Sequence, residues 1–349
     1  MAYTTIDKPS DYFNTKLYTG TGSEHAISGI GFAPNLVWLK CRSDANNPML
    51  FDTVRGATKN LYPNLTTAEG TEAQSLKSFD SDGYTLGTES DINGSSKTNV
   101  GWNWKAGTSF TNDASATGIG SIDSAGSVNQ DAGFSIIGYS GDTSDAPSTV
   151  AHGLSQKPEM MFIKRRTLSG QWVVYNKTIG ATHNLHLDST DASSAYQYFF
   201  NNTEPTSSVF TVGDDGESNK TGSNYIAYCF HSVQGYSKIG SYTGNGNADG
   251  TFVYTGFKPA WLMVKRTDGT DYWYMYDNKR DVDNVIEHKL EANDSAAEYT
   301  SVDWLDFTSN GFKWRYTGGG VNASGGSFIY MAFAENPFVT STGVPATAR

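Results

Sequence analysis

The chain is poor in the residues that announce most chemistries. Its 349 residues include only two cysteines, Cys41 and Cys229, 188 positions apart. That is neither a disulfide framework nor a metal signature, and it fits reduced thiols in a protein made in the cytosol. Basic residues are scarce, 25 Lys and Arg against 36 Asp and Glu, and the formal charge is −11. The densest basic run is Lys164-Arg165-Arg166, which argues against nucleic acid as a partner because phosphate binding rests on clustered cations. No stretch approaches the roughly 18 apolar residues of a spanning helix, so no membrane insertion is expected. The opening MAYTTIDKPSDYF has neither a basic leader nor an apolar core, and no secretory signal is expected. No G-x-S-x-G elbow occurs, and Gly318-Gly319-Gly320 is not followed by a helical pattern, so the chain offers neither an acyl-transfer nucleophile nor a phosphate cradle.

Glycine and aromatic residues are abundant instead, at 37 glycines and 13% aromatics. With many Ser and Thr this composition fits strands joined by tight turns and excludes disorder. The sequence also repeats itself. Lys40, Lys164 and Lys265 each end an apolar run that begins with a proline six residues earlier, Pro34, Pro158 and Pro259. Twelve residues after each lysine an aromatic is followed by an acid or amide: Phe51-Asp52, Tyr175-Asn176 and Tyr276-Asp277. Each copy opens on Tyr-x-Gly (Tyr18, Tyr139, Tyr242) and carries a Leu four residues before an acid: Leu65 and Glu69, Leu187 and Asp191, Leu290 and Asp294. Each then reaches a Phe before a turn, Phe79, Phe210 and Phe307, and closes on an apolar strand, VGWNWK, YIAYCFH or FIYMAFA.

The expected fold class is therefore all-β, with three tandem antiparallel β-sandwich, jelly-roll-like units related by internal repeat. The expected boundaries are an N-terminal docking segment over 1–17, unit 1 over 18–107, a Gly/Ser/Ala-rich linker over 108–133, unit 2 over 134–236, unit 3 over 237–338 and a tail over 339–349. Asn293 is expected to cap one helical turn over Asp294–Glu298.

Residues shared by all three copies are most simply needed by the common fold. The repeated lysines are expected to emerge at strand ends into solvent. The repeated Asp52, Asn176 and Asp277 tolerate an acid-to-amide swap, which a turn cap accepts and general acid–base catalysis does not. His183 and His186 lie three apart; on a strand they point to opposite faces and cannot share a metal ion. Asp80-Ser81-Asp82-Gly83 places its glycine too early for a calcium loop and reads as a hairpin. No catalytic residue, metal site or cofactor is expected. Trp172 and Trp273 recur eight residues after their lysines and belong to the shared architecture. Aromatics unique to one copy are the candidates for ligand contact: Tyr196, Tyr198 and Phe199 in the long second-unit loop 186–208, and Trp304 in unit 3.

Several blocks carry a family resemblance: MAYTTIDKPSDYFNTKLYTGTGSEHAI, LFDTVRGATKNLYPNLTTAE, SFDSDGYTLG, AYCFHSVQGYSKIGSYTGNGNADGTFVYTGFKPAWLMVKRTD and FIYMAFAENPF. Together they resemble virion structural proteins of tailed bacteriophages, of the marine and cyanobacterial type often described as tail fibre proteins. The resemblance spans nearly the whole chain. It implies a non-enzymatic particle component, made in the host bacterial cytoplasm and located in the virion. It further implies contacts with other virion proteins, a host surface glycan or protein as receptor, and a homo-oligomer, by analogy a trimer. The alternatives are a capsid decoration or other particle-stabilising protein and a host-surface glycan depolymerase.

Overall fold

The computed structural model describes residues 2–142 and 147–347. The chain is all-β, and its strands fall into three groups. The first holds β1 (Phe13–Thr19), β2 (His25–Ser28), β3 (Leu36–Cys41), β4 (Met49–Asp52), β5 (Lys59–Asn60), β6 (Gly70–Thr71), β7 (Leu76–Asp80), β8 (Gly83–Leu86) and β9 (Thr98–Trp104). Then come β10 (Thr108–Asn112) and β11 (Ser124–Asn129), followed by β12 (Phe134–Ser140), β13 (Ser148–Ala151), β14 (Met160–Arg165), β15 (Val173–Asn176), β16 (His183–His186), β17 (Ser194–Ala195), β18 (Val209–Val212) and β19 (Asn224–Phe230). The third holds β20 (Ser237–Thr243), β21 (Phe252–Tyr254), β22 (Phe257–Arg266), β23 (Trp273–Asp277), β24 (Leu290–Glu291), β25 (Leu305–Thr308), β26 (Gly311–Trp314) and β27 (Ser327–Pro337).

Each group builds a main antiparallel sheet in the same strand order: β1-β9-β3-β4, β12-β19-β14-β15 and β20-β27-β22-β23. A smaller sheet faces each one: β2-β8-β7, β13-β18 and β21-β26-β25. The first and last strands of a unit pair together, as do the second and the next-to-last, in the manner of a rolled-up hairpin. The hairpin at Asp80–Gly83 forms as expected, and the Asp82 carboxylate accepts the N–H groups of Gly29 and Gly31 at 3.0 and 2.6 Å.

The lysine-bearing strands are apolar throughout because both faces of each main sheet are buried. Along β3, Val37 and Leu39 face the small sheet and join a core with Ile27, Tyr84 and Leu86. Leu36 and Trp38, on the opposite face, join a core that draws on all three units. The alternation repeats in β14, where Met161 and Ile163 face inward to their own sandwich and Met160 and Phe162 to the common core. It repeats again in β22, with Leu262 and Val264 against Trp261 and Met263. Three sheets thus surround one centre. Trp104 of unit 1 meets Trp261 of unit 3 with ring centroids 5.6 Å apart, and Phe230 of unit 2 meets Phe333 of unit 3 at 6.1 Å.

Three local expectations are corrected. The segment read as a linker over 108–133 is ordered structure: β10 pairs with β11 and β11 with β12, extending the second main sheet. Gly, Ser and Ala are compatible with an edge hairpin once a neighbouring sheet offers the ladder. The residues 294–298 form no helical turn, and Asn293 instead accepts the Trp273 N–H at 2.9 Å. The segment 1–17 is partly core: Thr4 and Ile6 are buried, and Thr4 donates to the Gln234 carbonyl at 2.8 Å.

Candidate functional site

The three repeated lysines are buried, against the expectation that they reach solvent. Each follows the central face of its strand and ends in a cage of carbonyls contributed partly by the neighbouring unit. Lys40 Nζ donates to Asn46 O and, in unit 3, to Ser295 O at 3.0 Å. Lys164 donates to Gly170 O and, in unit 1, to Thr66 O at 3.0 Å. Lys265 donates to Asp271 O and, in unit 2, to Thr190 O at 2.9 Å. Unit 1 thus reaches unit 3, unit 3 reaches unit 2, and unit 2 reaches unit 1, which closes a ring. Burial lowers all three ammonium groups to about 8.

Two residues beyond each lysine the ring is tied again by a backbone bond: Glu69 N–H to Arg166 O, Ser193 N–H to Thr267 O and Glu298 N–H to Arg42 O. This contact sets the spatial equivalence Glu69, Ser193 and Glu298, whereas the Leu-x-x-x-acid spacing had aligned Asp191 and Asp294 with Glu69. The loops differ in length, so a count from the leucine slips.

Two of the three junctions carry a charged chain. Arg166 of unit 2 binds Glu69 at 2.8 Å, and Glu69 touches Arg55, which pairs with Asp52 at 2.5 Å; Asp52 in turn accepts the Tyr228 hydroxyl of unit 2 at 2.7 Å. Arg42 of unit 1 binds Glu298 at 2.8 Å, Glu298 binds Arg280 at 3.0 Å, Arg280 binds Asp277 at 2.6 Å, and Asp277 accepts the Trp102 indole N–H of unit 1 at 3.0 Å. Burial opposes the Asp277 charge, but Arg280 more than offsets it and holds the carboxyl below its ordinary range. At the junction of units 2 and 3 the corresponding positions hold Thr267, Ser193, Ile179, Asn176 and Met331. Every member of the charged chain is replaced there. Leaving any one charge without its partner in a buried site is costly, so the set changes as a whole. The acid-to-amide swap at Asn176 is one part of this exchange, and the turn-cap role survives it, since Asn176 accepts the Thr178 N–H at 2.9 Å.

These junctions are architectural. The aromatics singled out as ligand contacts fall in two places. Trp304 is 6% exposed, packs against Tyr316 with centroids 4.6 Å apart, and donates its indole N–H to Glu287 O. Phe199 is also buried. Tyr196 and Tyr198 are 36% and 48% exposed and stand edge to face at 5.4 Å, with Phe199 supporting Tyr196 from beneath at 4.5 Å. The Tyr196 hydroxyl donates to Asp215 at 2.7 Å, which pushes the phenol up to about 12. The other Asp215 oxygen accepts the Glu217 N–H at 2.8 Å, and Arg165 donates to Gly216 O at 2.8 Å. Two rings are thereby fixed beside an acidic, braced loop at the surface of unit 2. Sequence reasoning missed Asp215 and Glu217, whose only signal was the acidic run Asp214–Glu217. His183 and His186 lie on one strand and bond Thr182 and Asn184 respectively. Among the described residues no group of three His, Cys, Asp or Glu side chains could hold a metal ion, and no helix is long and apolar enough to cross a membrane.

The fold and this surface define an all-β protein of three sandwich units closed around one core. The chain belongs to the family described as "Domain of unknown function (DUF7483)", whose profile matches residues 8–337. No curated protein and no solved structure matches it.

Proposed function

We propose that the chain is a non-enzymatic structural protein of a tailed-bacteriophage particle, a tail fibre or spike component that contacts the host surface. The resemblance of its sequence blocks to such proteins motivates the reading, and the exposed pair Tyr196 and Tyr198 carries it. Two preorganised rings beside the carboxylates of Asp215 and Glu217 suit a sugar: C–H faces stack on the rings while hydroxyls donate to the acids. The ligand class is a host-surface glycan. The exchange of apolar faces between chains, expected of a trimer, has an intramolecular counterpart, because each main sheet already covers its second face with the other two units. A homo-oligomer would therefore use other surfaces.

Two measurements test the proposal. The position and copy number of the protein in intact particles, read by cryo-electron microscopy, should place it on the tail in a small symmetric number. Density distributed over the head lattice would favour a decoration protein, for which the compact ring-like closure of three units is the supporting feature. With purified protein, Tyr196→Ala and Tyr198→Ala should each weaken binding to host cells at least tenfold with the melting temperature unchanged. Undiminished binding removes the tyrosine pair as the contact, and release of reducing sugar would turn the reading to a depolymerase.

A further inference from the structure

The second strand of each unit lies at the edge of its small sheet, and the three edges differ. Val150 pairs with Phe210, Val253 with Phe312 and Ile27 with Tyr84, so these positions correspond. In unit 2 the edge is covered. The N–H groups of Ser121 and Ile122 both donate to Thr149 O, at 2.8 and 3.1 Å, and the Thr149 N–H donates to Ser121 Oγ at 2.9 Å. Ile122 bridges Val150 in parallel and is buried beside it. The cover is the short segment Gly120-Ser121-Ile122, which turns at Gly120 (φ +76°) and meets the edge through the single bridge at Ile122; it is supplied by the inserted residues between β10 and β11.

Unit 3 has no such insertion. Trp314 N–H donates to Thr251 O and Thr255 N–H to Asn310 O, so residues 251, 253 and 255 face β26. The backbone of Phe252 and Tyr254 points to the open side, where no described residue pairs with it. Tyr3 binds the Tyr254 hydroxyl and Gly256 O and closes one end only. The side chains reinforce the contrast. Where the covered edge has Thr149 and Ala151, this one has Phe252 and Tyr254, 46% and 54% exposed. Unit 1 has the small residues Ala26 and Ser28 at the same places. An open strand edge flanked by large exposed rings is a surface that proteins otherwise blunt or cover.

We infer that β21 is the docking edge for an extended polypeptide segment of a second protein, of the small–hydroxyl–aliphatic pattern seen in Gly120-Ser121-Ile122, added in parallel as a further strand. Main-chain bonds to Phe252 hold it, the aliphatic residue packs beside Val253, and the two rings flank it on the outer face.

The test uses the full chain and a labelled synthetic peptide of residues 118–126, with a scrambled peptide as control. Saturable binding is expected by fluorescence anisotropy, with at least tenfold slower hydrogen exchange at Phe252 or Tyr254. Phe252→Pro removes the outward N–H without costing an intrachain ladder bond and should abolish binding. Phe252→Lys should weaken it at least tenfold and decides the matter if the proline variant does not fold. Ala26→Pro, on the equivalent edge of unit 1, should bind as the wild type does. No saturable binding at millimolar peptide, or binding undiminished by the Phe252 substitutions, overturns the inference.

Discussion

At the residue scale the most telling feature is a charge that is either fully partnered or fully absent. Asp52 and Arg55 have fully buried side chains. Asp52→Asn should destabilise the fold by about 3–5 kcal/mol, because it removes the nearer countercharge of a buried guanidinium and leaves only Glu69 at 3.4 Å. Adding Arg55→Ile, the pairing that Asn176 and Ile179 already use, should restore part of that loss; denaturant unfolding of the two single variants and the double variant measures it as a coupling energy. The caged lysines give a pH signature. Their folded-state values near 8 lie below the unfolded lysine value of about 10.5. Between these limits the unfolded chain binds more protons than the folded one, so stability should rise with pH from about 8 to about 10. Above that, unfolded tyrosines ionise while the buried Tyr139, Tyr228 and Tyr276, all raised by burial, stay neutral, and stability should fall again. Lys265→Met should flatten the rising limb by about a third in denaturation curves taken across that window. Absence of a rise in the wild type would mean that the carbonyl cages hold the ammonium charged.

At the scale of elements, the tyrosine surface depends on a close approach of backbone. A Cβ at Gly213 would stand 2.1 Å from the Tyr198 carbonyl oxygen, inside any allowed contact. Gly213→Ala should therefore displace the Tyr196–Tyr198 loop, cost about 1–3 kcal/mol by overpacking, and weaken host-cell binding along with it; an unmoved loop would show as unchanged exchange rates at residues 196–199. Trp304→Ala belongs to a different class. Its ring sits in the unit 3 core, so the expected outcome is a loss of about 3–5 kcal/mol read as a lowered melting temperature. The strand content and hairpins were legible in the sequence because alternation and turn residues act locally. The burial of Lys40, Lys164 and Lys265 was not, because each cage is completed by a carbonyl of another unit, at separations such as 255 residues. The structured role of 108–133 was likewise hidden, since its β10–β11 hairpin is anchored by the ladder that β12 offers to β11.

At the scale of the whole molecule, the decisive property is that each unit's own sandwich core is backed by a second core that all three units share. Each main sheet turns one face to its own small sheet and the other to the shared centre, where Trp102, Trp104, Phe230, Trp261 and Phe333 lie within one cluster. The repeat in the sequence reads as three tandem sandwich units; the apolar runs that carry it are buried on both faces, which requires a partner on each side. The ring of lysine contacts joins every unit to both others, and the closing contact between units 1 and 3 links the ends of the chain. Unfolding should therefore be one cooperative event, with calorimetric and van't Hoff enthalpies equal. A fragment ending at residue 236 would keep two sandwich cores but expose the faces of β9 and β19 that meet Trp261 and Phe333. It should bind a hydrophobic dye and lack a sharp thermal transition. If that fragment instead melts cooperatively near the temperature of the full chain, the units are independent domains, and the shared centre is a docking interface and not a common core.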